Sequence, residues 1–389
     1  VLFFVEMWER FSYYGMRAIL TLFLAAPVIM GDPQSGYGWS NVETLSFYGT
    51  YTMFVYLTSI PGGWIADKFI GQKKAVMLGG LLLCFGHGIL AVDAQWAFFT
   101  GLILIVLGVG FLKPNISTMV GGLYKQGDGK RDIGFYIFYM GINAGAFLGI
   151  LLCGYIGEKI GWHFGFGLAG IFMFFGMLQF HFGQKIFGDI GLSVSERNED
   201  EIKVKEVNKI SQKIVTDRLV VIGIFSFVTV FFWWGFEQAG GSMTIFANDY
   251  TNRDLVGTGA LIFKIVNSLL TIVPMIILTI ILYLLFKNTF EKYAVSNLFL
   301  ASSFVIIWGI VIWMIVREFS ETATEIPASW FSVLNSLYII LLAPLFSKIW
   351  SSKYNPSGPI KFAIGLIFMA LSFIVMVYAV QLAMISSPV

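Results

Sequence analysis

Eleven stretches of this chain are apolar on every side and long enough to cross a membrane. They lie near 1–30, 42–66, 73–92, 95–123, 134–156, 163–187, 218–247, 257–287, 293–317, 328–350 and 360–385. A hydrocarbon layer of about 30 Å needs about 20 residues of helix. Barrel strands would alternate polar and apolar residues, and these segments do not. Of the 389 residues, 57% are hydrophobic and 12% charged, where a soluble chain is about half apolar and a quarter charged. The mean hydropathy is +0.79. The expected class is an all-α polytopic membrane protein.

Charge between the segments sets an orientation. Most Lys and Arg fall in the connections around 67–74, 125–131, 185–218, 287–292 and 348–361, whereas the alternate connections hold only Lys159, Arg253 and Arg317. By the positive-inside rule the first connections face the cytoplasm, and so does the N-terminus. The expected location is the cytoplasmic (inner) membrane. The longest polar stretch, 188–217, separates six segments from the rest. Within it "VKEVNKISQKIV" has apolar residues near helical spacing, although a solvated linker is the simpler reading. The expected plan is an N-terminal six-helix bundle at 1–187, a cytoplasmic linker at 188–217 and a C-terminal bundle at 218–389.

The net charge of +2 offers nothing to a nucleic acid. Walker, HExxH and GxSxG patterns do not occur, so an enzyme, a metal site or a bound cofactor is not expected. Cys84 and Cys153 lie inside apolar segments and read as small buried hydrophobes. His87, His163 and His181 lack metal spacing and read as structural. The chain starts inside an apolar run without Met and stops just past another, and is expected to be trimmed at both ends.

Ionisable groups inside a membrane cost roughly 2.5–3.5 kcal/mol each and mark functional sites. The first segment holds "VEMWERFSYYGMR", with Glu6, Arg10, Tyr13, Tyr14 and Arg17 at helical spacing on one face and Glu9 beside it. Two carboxylates near one guanidinium leave a carboxylate free to titrate. In "GVGFLKPNIS", Lys113 sits mid-segment before Pro114, which removes a backbone donor. Lys113 needs a carboxylate, and the first helix has one to spare. "FFWWGFEQAGGSM" places Trp233 one turn before Glu237. Tyr139 and Asn143 share a face of the fifth segment; Asn143 suits a neighbouring helix and a substrate equally. Tyr48 and Asn335 are further polar insertions. Lys264 is placed to reach outward to the interface.

These residues resemble a known family. "ExxERFxYYG" (Glu6, Glu9, Arg10, Phe11, Tyr13, Tyr14, Gly15) is similar to the first-helix signature of the proton-dependent oligopeptide transporters, in the major facilitator superfamily. "GGWIADKFIGQKK" (62–74) looks like that superfamily's loop between helices two and three, with Asp67, Lys73 and Lys74 as its charges. "KPNIS", "FYMGINAGAFLG", "FEQAGGS" and "LAPLFSKIW" follow in the family's order.

The resemblance implies two helical bundles around a central cavity and proton-driven uptake of di- and tripeptides by alternating access, with no cofactor beyond the proton gradient. It implies a proton-coupling set of Glu6, Glu9, Arg10, Lys113 and Glu237. Arg17 and Lys113 would draw the peptide carboxylate, and Tyr13, Tyr14, Tyr48, Tyr139, Asn143, Trp233 and Asn335 would line the cavity. Glu237 would pair with Arg17 or Lys113 in a gate. Peptides, protons and the bilayer are the expected partners, and the oligomeric state is left open. Two features depart from the family. Segments 257–287 and 293–317 form a helix pair inserted between core helices seven (218–247) and eight (328–350), expected at the periphery without a transport role. Core helix nine at 360–385 is the last, so the final three core helices, including the tenth with its glutamate for the peptide amino group, are expected to be missing. Asn335-Ser336 replaces the family's frequent Asn-Pro, which puts a kink in doubt. The competing readings are a same-fold symporter of nitrate or a drug and a peptide receptor that does not transport.

Overall fold

The computed structural model describes residues 1–125, 128–193, 212–350 and 354–386. Most of the expected linker, with its "VKEVNKISQKIV" stretch, lies outside the described residues. All eleven apolar segments are helical. The N-terminal ones are α1 (Leu2–Ala25), α2 (Asn41–Leu57), α3 (Ser59–Ile65), α4 (Gln72–Leu90), α5 (Gln95–Gly122), α6 (Lys130–Lys159) and α7 (Trp162–Gly183). There follow α8 (Gln212–Phe236), α9 (Ser242–Tyr250), α10 (Gly257–Thr289), α11 (Ala294–Ser320), α12 (Val333–Trp350) and α13 (Gly358–Ser386).

Among the described residues, nine helices are both long and apolar enough to span a membrane. The other two segments fail for stated reasons. α1 carries four charges. The second segment breaks at Thr58 into α2 and α3. The Thr58 hydroxyl donates to the Val106 carbonyl of α5 at 2.9 Å. α2 starts with a capping box, in which Ser40 Oγ accepts from Glu43 N at 3.3 Å and Glu43 Oε2 accepts from Ser40 N at 2.9 Å.

Small residues set the packing of α1 on α6. A Cβ on Gly145 would fall 2.1 Å from the Met7 carbonyl oxygen, and one on Gly149 would fall 2.2 Å from that of Phe11. Gly15 answers from α1, where a Cβ would come within 2.7 Å of Cys153 Sγ. Backbones this close leave no room for a side chain between them. α1 is therefore buried along nearly its whole length.

Contacts divide the chain into two compact units, 1–197 with 252–337, and 198–251 with 338–389. The sequence places the inserted pair within 218–389, but contacts group it with the N-terminal helices. The reason is that α11 lies along α7 and α1. Phe304 meets Phe4 and Trp8, each at 5.8 Å, and Phe299 stacks on Phe182 at 5.4 Å. Ser296 Oγ donates to the Gln179 carbonyl at 2.9 Å. The pair is also tied at its base by an antiparallel strand pair that the hydropathy pattern does not announce. Here β1 (Asp254–Val256) pairs with β2 (Ala323–Glu325), with Leu255 opposite Thr324.

Beside this strap is a charged cluster. Arg253 NH1 lies 3.0 Å from Glu325 Oε1, and Lys159 Nζ donates to Glu325 Oε2 at 2.8 Å. Glu158 accepts from the Ala328 and Ser329 amides at 2.7 and 2.9 Å, fixing the 3₁₀ turn Ala328–Ser332 that leads into α12. Lys264 is buried, and its Nζ donates at 2.5 Å to the carbonyl of Glu321, the residue just past the end of α11. α12 runs unbroken through Asn335-Ser336. In the second unit, Phe225 and Phe232 of α8 lie 6.2 and 6.4 Å from Phe362 of α13.

Candidate transport site

The four charges of α1 are buried: Glu6, Glu9, Arg10 and Arg17 are each 4% exposed or less. Helix geometry brings Glu6 and Arg10 together one turn apart, with Arg10 Nε 3.4 Å from Glu6 Oε1. The tighter partner is the sequence neighbour. Nε and NH2 of Arg10 donate to the two oxygens of Glu9, a forked pair in which both groups are charged. Ser12 Oγ donates to the Glu9 carbonyl at 2.8 Å. Glu6 Oε2 is buried and has no hydrogen-bond partner among the described residues. The carboxylate left to spare is therefore Glu6. Lys113 of α5 is near enough for its charge to act on Glu6.

Aromatic rings line the next turns of this face. The Arg10 guanidinium carbon lies 5.3 Å from the Tyr13 ring centre and 5.7 Å from that of Tyr14. Arg17 lies 5.3 Å from Tyr14 and 5.8 Å from Tyr48 of α2. Lys113 Nζ sits 4.7 Å from the Tyr56 ring centre. Cations over aromatic faces gain about 0.5–1 kcal/mol at exposed sites and about 2 when desolvated.

Pro114 explains how α5 presents Lys113. Without an N–H it cannot bond the Gly110 carbonyl, and that carbonyl lies against Gly62 of α3, where a Cβ would come within 2.1 Å. Asn115 Nδ2 donates to the Phe111 carbonyl at 2.7 Å and lies 3.4 Å from the Gly62 carbonyl.

The structure thus gathers Glu6, Glu9, Arg10, Tyr13, Tyr14, Arg17, Tyr48 and Lys113. Tyr51 and Tyr56 of α2 join them and were not anticipated. Tyr51 is 5% exposed, and its hydroxyl has no hydrogen-bond partner among the described residues. It lies within electrostatic reach of Tyr13, Arg17, Tyr48 and Glu9. The signal was present, since Tyr48, Tyr51 and Tyr56 recur near helical spacing. On α6, Asn143 is buried and donates to the Tyr139 carbonyl of its own helix at 2.9 Å, and Tyr139 is exposed. Asn335 is exposed near the start of α12. Trp233 and Glu237 fall in the second unit, both half-buried, with Glu237 opening the 3₁₀ turn Glu237–Gly240.

The loop charges have structural partners. Asp67 lies in the first turn of a π-helical segment, Ala66–Ile70, and accepts from Gln72 Nε2 at 2.7 Å. Lys73 Nζ donates to the Gly188 carbonyl, and its amide to the Gly191 carbonyl at 3.0 Å. Gly71, at φ +79°, makes room for the 188–193 segment: a Cβ there would lie 2.5 Å from Ser193 N.

A sequence model of the POT family matches residues 73–199 and 301–385. The chain is 33% identical to the peptide transporter YePEPT of Yersinia enterocolitica, over 98% of this chain and 73% of that protein. This chain belongs to the POT family. It is also 32% identical to a di-/tripeptide transporter of Lactococcus lactis, over 96% of this chain and 73% of the relative. Among solved structures, a POT family transporter in complex with 5-aminolevulinic acid superposes with a TM-score of 0.66 at 26% identity, covering 96% of this chain and 74% of that one. Peptide transporter POT in complex with sulfate gives 0.60 at 35% identity, covering 97% and 73%. As a POT protein the chain has the all-α fold of the major facilitator superfamily.

Proposed function

We propose that this POT protein is a secondary transporter that takes up di- and tripeptides together with protons by alternating access, driven by the proton gradient without a cofactor. The observation that carries the reading is the buried arrangement on α1, two carboxylates with one guanidinium between them and a lysine in electrostatic reach. Glu9 neutralises Arg10, so Glu6 must be balanced by a proton or by Lys113. A proton on Glu6 frees Lys113 for the carboxylate of a peptide, and this exchange is the coupling. The names of the relatives support the substrate class, as does a solved POT family transporter bound to a thioalcohol-conjugated peptide.

In this reading Glu6, Glu9, Arg10, Lys113 and Glu237 handle the proton. Arg17 and Lys113 hold the peptide carboxylate among Tyr13, Tyr14, Tyr48, Tyr139, Asn143, Trp233 and Asn335, and Glu237 responds to protonation in a gate. Asp67, Lys73 and Lys74 form the loop that changes with the transport cycle. The protein sits in the cytoplasmic membrane with its N-terminus inside, following the distribution of Lys and Arg.

The test is proton influx into liposomes holding the purified protein. Dialanine added outside should acidify the lumen, and nitrate should not. Nitrate-driven influx without a dialanine response would replace this reading with the other symporter. Binding of dialanine without counterflow of labelled dipeptide would make the protein a receptor.

A further inference from the structure

Polar side chains of α10 mostly satisfy themselves on their own helix. Ser268 Oγ donates to the Lys264 carbonyl at 2.7 Å, Thr271 to Asn267 at 2.8 Å, Thr279 to Met275 at 2.7 Å, and Asn288 Nδ2 to Leu284 at 2.9 Å. Asn267 is the exception. It is 8% exposed, and its carboxamide makes no hydrogen bond among the described residues. Asn115 and Asn143 show that an asparagine of this protein can bond the carbonyl one turn back; Asn267 does not. An unmet amide in hydrocarbon is costly.

Asn267 lines a cavity of about 190 Å³ between α6, α10 and the start of α12. Phe263, Val266, Asn267 and Leu270 lie at i, i+3, i+4 and i+7, so the face of α10 that carries the amide is the face that borders the space. The opposite walls are Phe147, Leu151, Trp330 and Leu334. The Trp330 indole donates to the Leu151 carbonyl at 2.9 Å, which fixes one wall to α6. An apolar cavity of about 150 Å³ suffices for benzene.

We propose that this cavity binds a compact, lipid-soluble aromatic molecule bearing one hydroxyl group, with the hydroxyl on Asn267 and the ring among Phe263, Trp330 and Phe147. A hydroxyl both donates and accepts, as a carboxamide requires. Asn267 lies ten residues into α10, about 15 Å along the helix. A bare acyl chain would fill the space and leave the amide unmet.

The test uses the full chain in phosphatidylcholine nanodiscs and two photolabels, a diazirine-bearing benzyl alcohol and the matching toluene without the hydroxyl. Adducts are mapped by mass spectrometry. The alcohol should label α10 and the 328–334 segment saturably, unlabelled benzyl alcohol should compete, and the toluene should label there more weakly. In Asn267→Leu, labelling by the alcohol at this site should fall about five-fold, with the toluene unchanged. The wild-type competition needs no variant, so a poorly folding Asn267→Leu does not remove the test. Equal labelling by the two probes, or alcohol adducts spread evenly over the lipid-facing helices, would overturn the proposal. So would displacement of the alcohol by lipid chains alone, shown by a diazirine-acyl phosphatidylcholine labelling the same residues.

Discussion

Arg10 reaches Glu6 at 3.4 Å but grips Glu9 with two nitrogens, so the carboxylate one turn away is the looser partner. In the proposed mechanism that inequality divides the labour on α1: Glu9 holds Arg10 and balances its charge, and Glu6 is left to exchange.

Lys113 should matter twice. In the proposed mechanism Lys113→Ala removes both the counter-charge of Glu6 and one anchor for a peptide carboxylate. Proton-driven uptake in liposomes should fall at least ten-fold, and the Kd for dialanine should rise. Unaltered peptide affinity would remove the carboxylate role and leave only the coupling role.

Arg17 sits between Tyr14 and Tyr48, so its shape counts as well as its charge. Arg17→Ala should weaken dialanine binding about ten-fold, and Arg17→Lys should recover only part, because an ammonium lacks the planar stacking surface. Binding of an amidated dipeptide, which has no carboxylate, should change little in either variant. Equal losses for both ligands would mean that Arg17 shapes the site without holding the carboxylate.

Gly145 and Gly149 should tolerate no side chain. In Gly145→Val the added Cβ meets the Met7 carbonyl at 2.1 Å, and α1 must move. Overpacking of this kind costs about 1–3 kcal/mol or more, read as a lower thermal midpoint in detergent. Gly49→Ala is the control, since nothing lies within 4 Å of its Cβ position; its midpoint should hold or rise.

Acid should loosen the strap. Although burial alone raises it, the Glu325 carboxyl is held below its usual range by the hydrogen bond and charge of Lys159 and by Arg253. A depressed carboxylate stabilises above its unfolded pKa of about 4.3 and loses that contribution as pH falls further. The thermal midpoint of the wild type should therefore exceed that of Glu325→Gln near pH 7 and converge with it under acid. A gap that widens on acidification would contradict the ion-pair geometry. Glu325 is half exposed, so the gap should be small.

The helices were legible because hydrophobicity over twenty residues admits few alternatives. The face of Glu6, Arg10, Tyr13, Tyr14 and Arg17 was legible from a spacing of 3.6. The forked pair of Arg10 with Glu9 was not, because adjacent residues on a helix do not normally face one another; buried without water, the guanidinium takes the nearest carboxylate. Tyr51 and Tyr56 were overlooked because single tyrosines in an apolar run resemble interface residues. The β1–β2 strap spans only three residues on each side, too few for alternation to register. Nor could hydropathy reveal that α11 lies on α7, since a lipid-facing and a helix-facing residue are equally apolar.

The most direct measurement is transport by Glu6→Gln in liposomes, with peptide uptake driven by a proton gradient compared against counterflow of labelled dialanine. The account predicts that gradient-driven uptake is lost while counterflow persists, because glutamine imitates the protonated carboxyl and leaves Arg10 held by Glu9. Gradient-driven uptake at the wild-type rate would place the proton path elsewhere and contradict the central claim.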